Sequence, residues 1–391
     1  MNLSPGTRNF IIEHEPDDVH ALALKAKQFP GIDMQLAIRQ IAGRKIAKEK
    51  IPSWYADSSI VYPGRLSLEQ CSSEQTARFK ALLCGGESMV DLTGGFGVDC
   101  SFLANRFKNA IYVERQEELA EIAAHNFRLL GQGHIRIVNG DAVGYLSSMA
   151  PVNLIYIDPA RRDKAGRKVA LIEDCTPDIL ELGSLLEKKS EQTMIKLSPM
   201  LDIALAVKTM KSVSDVYVIS VNNECRELLF IRKKTRDRIK YHCVNIRNGS
   251  ADIFSFYKED EDLVSLCYTD TVGKYLYEPN ASVLKGGAYK SIARSYALSK
   301  LHPASHLYTS DTLHNDFHGR KFVVDTVCSL SKKELKAHLP GIDRANVTTR
   351  NFPLSVQETR KKTGLKDGGE AYVFATTLAD NRKVLLICHK A

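Results

Sequence analysis

Four carboxylates, Asp91, Glu114, Asp141 and Asp158, each close a short apolar run, and a glycine-rich loop follows the first of them. That loop reads Val90-Asp91-Leu92-Thr93-Gly94-Gly95-Phe96-Gly97. Gly94, Gly95 and Gly97 let the backbone turn sharply and approach a ligand with no Cβ in the way. Such loops serve nicotinamide and S-adenosylmethionine sites alike. A dinucleotide fingerprint starting at Gly95 requires glycine or alanine at position 100, where this chain has Cys100. Asp91 precedes the turn, where a carboxylate repels a pyrophosphate but suits the amino group of a sulfonium ligand. Glu114 is placed to accept from two ribose hydroxyls. Asp141, in Asn139-Gly140-Asp141-Ala142, is placed to accept from an adenine amino group. Any one of these acids alone reads more simply as a helix cap or loop residue.

The fourth acid opens Asp158-Pro159-Ala160-Arg161. Methyl transfer needs alignment and desolvation rather than an acid–base triad, so the absence of a Ser/His/Asp pattern is no obstacle. Asp158 can accept a hydrogen bond from an acceptor group, Pro159 stiffens the loop, and Arg161 can stack on a base or grip a phosphate. A cysteine mechanism requires a nucleophile here or in Lys196-Leu197-Ser198-Pro199, and neither stretch has one.

Alternating elements must hold these residues. Strand-like runs fall at Met89–Leu92, Ala110–Val113, Ile135–Val138, Asn153–Ile157, Met194–Leu197, Val216–Val221 and Leu228–Arg232. An amphipathic helix over Gln116–Leu130, capped by Gly131, separates the second and third. Strands alternating with helices predict a parallel doubly wound α/β sheet, whose ligands bind at the carboxyl ends of the strands. The short Asn222–Glu227 connection predicts an antiparallel last pair, making seven strands. Upstream, Val19–Phe29, Met34–Lys48 and a segment from Ser72 or Ser73 to Leu83 read as helices. Downstream, strands at Tyr241–Ile246 and Ile253–Tyr257 suggest an extension of the sheet or a subdomain, and helices at Lys290–Ser299 and Ser331–His338 with a hairpin of Tyr372–Leu378 and Lys383–Cys388 predict a small α+β region. The expected division is residues 1–84, helical; 85–245, Rossmann-like; and 246–391, α+β.

On these motifs the chain resembles the class I S-adenosylmethionine-dependent methyltransferases over roughly residues 87–232. VDLTGGFGVDCSFLA is similar to the first motif of bacterial ribosomal RNA guanine-N2 methyltransferases, with Thr93 in place of the first glycine of D-x-G-x-G-x-G. SLEQCSSEQTA resembles a segment preceding the Rossmann domain in several nucleic-acid methyltransferases. The layout also resembles bacterial proteins with a C-terminal THUMP-like domain. The resemblance implies the S-adenosyl-L-methionine cofactor, a seven-stranded mostly parallel sheet and an RNA partner. Exocyclic-amine methyltransferases carry D/N-P-P-aromatic where this chain has Ala160 and Arg161, so the resemblance leaves the modified atom open.

Bulk properties are consistent with this. The chain has 391 residues, 44% hydrophobic and 26% charged, as in globular proteins. A net charge of +8 favours a polyanionic partner, with basic clusters at Arg161–Lys168, Arg232–Lys240 and Arg360–Lys366. No apolar run spans a bilayer, no secretory signal opens the sequence, and nine scattered cysteines fit a reducing compartment, so the expected location is cytoplasmic. His302/His306 and His314/His318 sit four apart, but Pro303 and neighbouring Ser and Asp residues read as loop, so no metal is expected. The alternatives are a protein or small-molecule methyltransferase, and a non-catalytic RNA-binding protein on a degenerate fold. Oligomeric state is not encoded in any motif.

Overall fold

The computed structural model describes residues 4–161, 172–234 and 238–391. The chain forms two compact units, residues 1–216 with 226–237, and residues 217–225 with 238–391.

The first unit opens with helices α1 (Pro5–Glu13), α2 (Val19–Leu24), α3 (Met34–Lys50), α4 (Pro52–Tyr55), α5 (Arg65–Gln70) and α6 (Glu74–Ala81). Ser4, Asp18, Asp33 and Ser73 start α1, α2, α3 and α6, each side chain accepting from an otherwise orphaned backbone N–H. Helix α1 falls within the stretch read as helical, although no run is singled out there. The helix read over Val19–Phe29 stops at Leu24 and tightens into a 3₁₀ turn at Ala26–Gln28, just short of Pro30.

A sheet follows. Its elements are β1 (Gly86–Asp91), α7 (Val98–Ala104), β2 (Phe107–Glu114), α8 (Glu117–Leu129), β3 (Ile135–Asn139), α9 (Ala142–Ser148) and β4 (Val152–Ile157). After β4 come the short antiparallel pair β5 (Ala160–Arg161) and β6 (Cys175–Thr176), then α10 (Gly183–Lys189), β7 (Ser190–Leu197), α11 (Ile203–Thr209), β8 (Val213–Val221) and β9 (Glu224–Lys233). The strand order is β3-β2-β1-β4-β7-β9-β8, parallel through β7, with β9 antiparallel to β7. β1 is central, and its neighbours β2 and β4 lead to opposite edges. That switch point opens a crevice at the carboxyl ends of β1 and β4. Helix α8 buries Leu119, Ile122, Ala123 and Phe127 as its periodicity requires, and Gly131 takes the left-handed conformation at φ +69° to end it.

The N-terminal helices pack on this sheet. Asn126 of α8 exchanges hydrogen bonds with the Val61 backbone, and Gln40 of α3 does the same with Tyr62. Trp54 of α4 meets Phe96 of the glycine loop edge-on at 5.0 Å.

In the second unit the turn between β8 and β9 is only Asn222-Asn223, both at positive φ, which suits a two-residue hairpin. Strands β10 (Lys240–Arg247) and β11 (Ser250–Tyr257) pair antiparallel and continue the sheet beyond β8. The sheet therefore has nine strands rather than seven, these runs extending it, which is one of the two placements the sequence left open. Next come α12 (Lys258–Leu263), β12 (Tyr275–Pro279), α13 (Ala281–Gly286), α14 (Tyr289–Ser295), β13 (Ser299–Lys300), β14 (Tyr308–Ser310) and β15 (Gly319–Cys328). The chain finishes with α15 (Lys332–His338), β16 (Arg344–Arg350), α16 (Val356–Thr363), β17 (Lys366–Thr377) and β18 (Lys383–Lys390). A second sheet has the order β13-β14-β12-β15-β18-β17-β16 and contains the expected terminal hairpin β17–β18. Across it, buried Glu278 of β12 binds Arg320 and Arg350, with Nη2 of Arg350 at 2.9 Å.

Candidate active site

Strand register sets the site. Asp91 of β1 lies beside Tyr156 of β4 and Tyr112 of β2, and Glu114 of β2 lies beside Asn139 of β3. Thr93 and Asp158, two residues beyond the paired positions 91 and 156, must therefore face each other. They do: the Asp158 amide donates to Thr93 Oγ1 at 2.7 Å. A threonine where related loops carry glycine thus stitches the glycine loop to the Asp158 loop.

The glycines follow from packing. A Cβ on Gly94 would lie 2.1 Å from the Tyr112 ring, and one on Gly97 would lie 2.8 Å from Phe127 at φ +89°. Gly95, at φ +54°, has no atom nearer than 3.8 Å to where its Cβ would stand. The loop is drawn tightly onto Tyr112 and Phe127, and Gly95 borders open space. Tyr112 completes the arrangement by donating its hydroxyl to the Gly95 carbonyl.

Each predicted acid has a structural partner. Asp91 Oδ1 accepts from the Thr93 amide at 2.9 Å. Burial pushes its carboxyl up to about 8, against the opposing pull of that hydrogen bond. Glu114 accepts from the amides of Gly95 (2.9 Å) and Gln116 (2.8 Å), bracing the loop from β2. Asp141 caps α9 by accepting from Gly144 at 2.9 Å and is exposed, with Ala142 the first residue of the helix. A carboxylate oxygen holding one backbone bond retains a second lone pair for a ligand. Pro159 is buried and Asp158 is partly exposed. The Arg161 side chain and most of the Arg161–Lys168 cluster lie outside the described residues.

Sequence reasoning missed what lies beneath Asp158. Lys196 of β7 sends its ammonium to Asp158 Oδ2 (2.6 Å), Asp99 Oδ2 (3.3 Å) and Ser72 Oγ (3.0 Å). Lys80 of α6, wholly buried, reaches Asp99 (2.9 Å), Glu227 (2.8 Å) and Ser72 (2.9 Å). Tyr156 and Ser72 both donate to Asp99, at 2.6 and 2.7 Å. Burial alone would raise the Asp99 carboxyl, but the two ammonium groups and these hydroxyls outweigh it and hold it well below the usual carboxylate range. Burial alone would likewise strip Lys196 of its proton, but Asp158, Asp99 and Glu227 outweigh it and keep the ammonium charged. Ser73 is the cap of α6 and Ser72 belongs to this cluster; Glu227, expected in a turn, is a buried strand residue. The available signal was two lysines at positions whose neighbours are all apolar or small.

One other expectation changes. Arg232, read as part of a basic surface, is 5% exposed and spends its guanidinium on Glu187 and the carbonyls of Lys211 and Gly183. Burial pushes the thiols of Cys71 and Cys225 up to about 11, which makes them poor nucleophiles.

The chemistry of the donor set suits S-adenosylmethionine. Carboxylates at the ends of β1, β2 and β4 complement an ammonium, hydroxyls and a sulfonium and would repel a pyrophosphate, and the outer face of Gly95 is open. A parallel sheet with this strand order and an antiparallel final hairpin defines a class I methyltransferase fold. The comparisons agree. A solved structure of a protein assigned as a methyltransferase, from Porphyromonas gingivalis W83, is 33% identical, covers 100% of both chains and superposes with a TM-score of 0.89. Two uncharacterised S-adenosylmethionine-dependent methyltransferases, from the CDC 1551/Oshkosh and H37Rv strains of Mycobacterium tuberculosis, are 22% identical over 315 residues, 80% of this chain and 83% of theirs. Residues 319–390 match a family described as THUMP domain-like, and residues 275–317 match a ferredoxin-like domain. The chain belongs to the S-adenosylmethionine-dependent methyltransferases that carry a THUMP-like C-terminal domain, and S-adenosylmethionine is its cofactor. Among the described residues no helix is long and apolar enough to cross a membrane.

Proposed function

We propose that this enzyme methylates RNA. The observation that carries the reading is the THUMP domain-like match over residues 319–390, since THUMP domains bind RNA. The net charge of +8 and exposed Lys361 and Lys362 on α16 support it. S-adenosylmethionine supplies an electrophilic methyl group on a sulfonium.

The chain's own residues divide the work. Asp91 takes the ligand's amino group, Glu114 the ribose hydroxyls, and Asp141 with Ala142 the adenine edge. Thr93, Gly94, Gly95 and Gly97 let the backbone close on the ligand. Asp158 receives a hydrogen bond from the acceptor group, Pro159 fixes the loop, and Arg161 holds the RNA. The fixed loops and the exclusion of water supply alignment.

The test is transfer of tritiated methyl groups to total RNA from cells lacking the protein. Label in RNA, lost in Asp158→Ala, is the expected result. Label in protein, or only in small molecules, overturns the reading.

A further inference from the structure

We infer that the acceptor atom is a hydroxyl oxygen that loses its proton as it is methylated, and that Lys196 is the positioning residue that selects it. In RNA this is the ribose 2′-hydroxyl, the hydroxyl every internal nucleotide carries. The inference deepens the RNA reading and rests on it.

Lys196 carries the argument. Its ammonium lies 2.6 Å from Asp158 Oδ2, and its remaining contacts are Asp99 Oδ2 and Ser72 Oγ. Three N–H donors meet three acceptors, so the charge is fixed in place. Its side chain is 9% exposed, so water screens it little. Asp99 is held in turn by Lys80, Tyr156 and Ser72, and Lys80 by Glu227. Lone buried charges are expensive, and this arrangement keeps a positive one beneath Asp158.

A fixed cation there discriminates between acceptors. A neutral amine attacking the methyl group becomes positively charged in the transition state, which an adjacent ammonium opposes. A hydroxyl giving up its proton develops negative charge, which the ammonium favours. The Asp158-Pro159-Ala160-Arg161 loop also lacks the aromatic residue that would stack on a base. The step balances: the hydroxyl proton passes to Asp158 and on to solvent. The substrate oxygen forms its bond to the methyl carbon as the carbon–sulfur bond breaks, and that electron pair stays on sulfur. Lys196 keeps its proton throughout.

Two measurements on the full chain test this. Tritium-labelled RNA from the wild-type enzyme is hydrolysed in alkali, where 2′-O-methylation blocks cleavage. Label in alkali-stable dinucleotides is expected, whereas label in methylated mononucleotides, meaning a base, overturns this inference alone. Label outside RNA overturns the RNA reading and this inference with it. The second measurement is Lys196→Met, expected to lose about 10²–10³ in kcat with KM for RNA and calorimetric binding of S-adenosylhomocysteine unchanged. Lys196→Arg should recover part of the rate. Full activity in a folded Lys196→Met enzyme, or a loss that appears only in KM or in S-adenosylhomocysteine binding, refutes the role of the ammonium. If Lys196→Met fails to fold, the alkaline digest of the wild-type product decides.

Discussion

Gly94→Ala tests the cofactor loop most directly. The added Cβ would stand 2.1 Å from Tyr112 Cε2 and 2.5 Å from two further ring atoms. Carbon atoms rest at about 3.5–4.0 Å, so one partner must retreat by roughly 1.5 Å. Tyr112 is fully buried, packs edge-on against Phe127 at 5.6 Å and is tied by its hydroxyl to Gly95. The ring has nowhere to go, and the loop must lift. Overpacking of this kind destabilises by about 1–3 kcal/mol. A displaced loop also loses ligand hydrogen bonds worth about 0.5–1.5 kcal/mol each, which is a roughly 10- to 100-fold weaker Kd when two are lost. Calorimetry with S-adenosylhomocysteine reads the affinity, and urea unfolding reads the stability. Adding Tyr112→Val should relieve the clash, with a coupling of about 1 kcal/mol or more. If Gly94→Ala binds within twofold of wild type at unchanged stability, the loop does not hold the cofactor as described.

Other expectations follow from the charged groups. Asp91 has a folded value of about 8 against an ordinary 3.8, so its stabilising contribution is full below the ordinary value and is lost as pH rises through about 8. A ligand ammonium needs the ionised form, so cofactor affinity should rise between pH 6 and 8 with proton release, measured by calorimetry in two buffers. Asp91→Asn should abolish the trend, and a pH-independent wild-type affinity would sink the assignment. Lys80→Met leaves Asp99 and Glu227 without their shared cation and should cost about 3–5 kcal/mol in urea unfolding; a loss under 1 kcal/mol would show that the cluster tolerates the missing charge. Glu278→Gln removes the anion between Arg320 and Arg350, both partly exposed. That pairing is screened, and a loss of about 1–3 kcal/mol is expected, whereas no change would mean water replaces it.

The sheet was legible because its signals are local. Apolar runs ending in Asp91, Glu114 and Asp158 mark strand ends, and Gly131 marks the end of α8. Both features obey backbone geometry that any fold must respect. Register alone then brings Thr93 to Asp158, although nothing in the sequence states which strands pair. The two strands beyond β8 were read as strands, with an extension of the sheet and a separate subdomain both left open, since pairing partners are not local information. The cluster beneath Asp158 was least legible. A lysine in a helix or strand usually marks solvent, and only partners 8 to 147 residues away show that Lys80 does not. Arg232 misled for the same reason, its charge being answered by Glu187 from another element.

That span of 147 residues between Lys80 and Glu227 also has a meaning in time. A ribosome adds about 5–20 residues per second, so roughly 7–30 s separate the synthesis of the two. Throughout that interval α6 has emerged, yet its lysine lacks the β9 carboxylate that accompanies it in the folded enzyme. The Rossmann-like unit therefore cannot complete its core from the amino end forward. It waits for its last hairpin, so the acceptor side of the crevice is finished only when β9 closes the sheet beside β7.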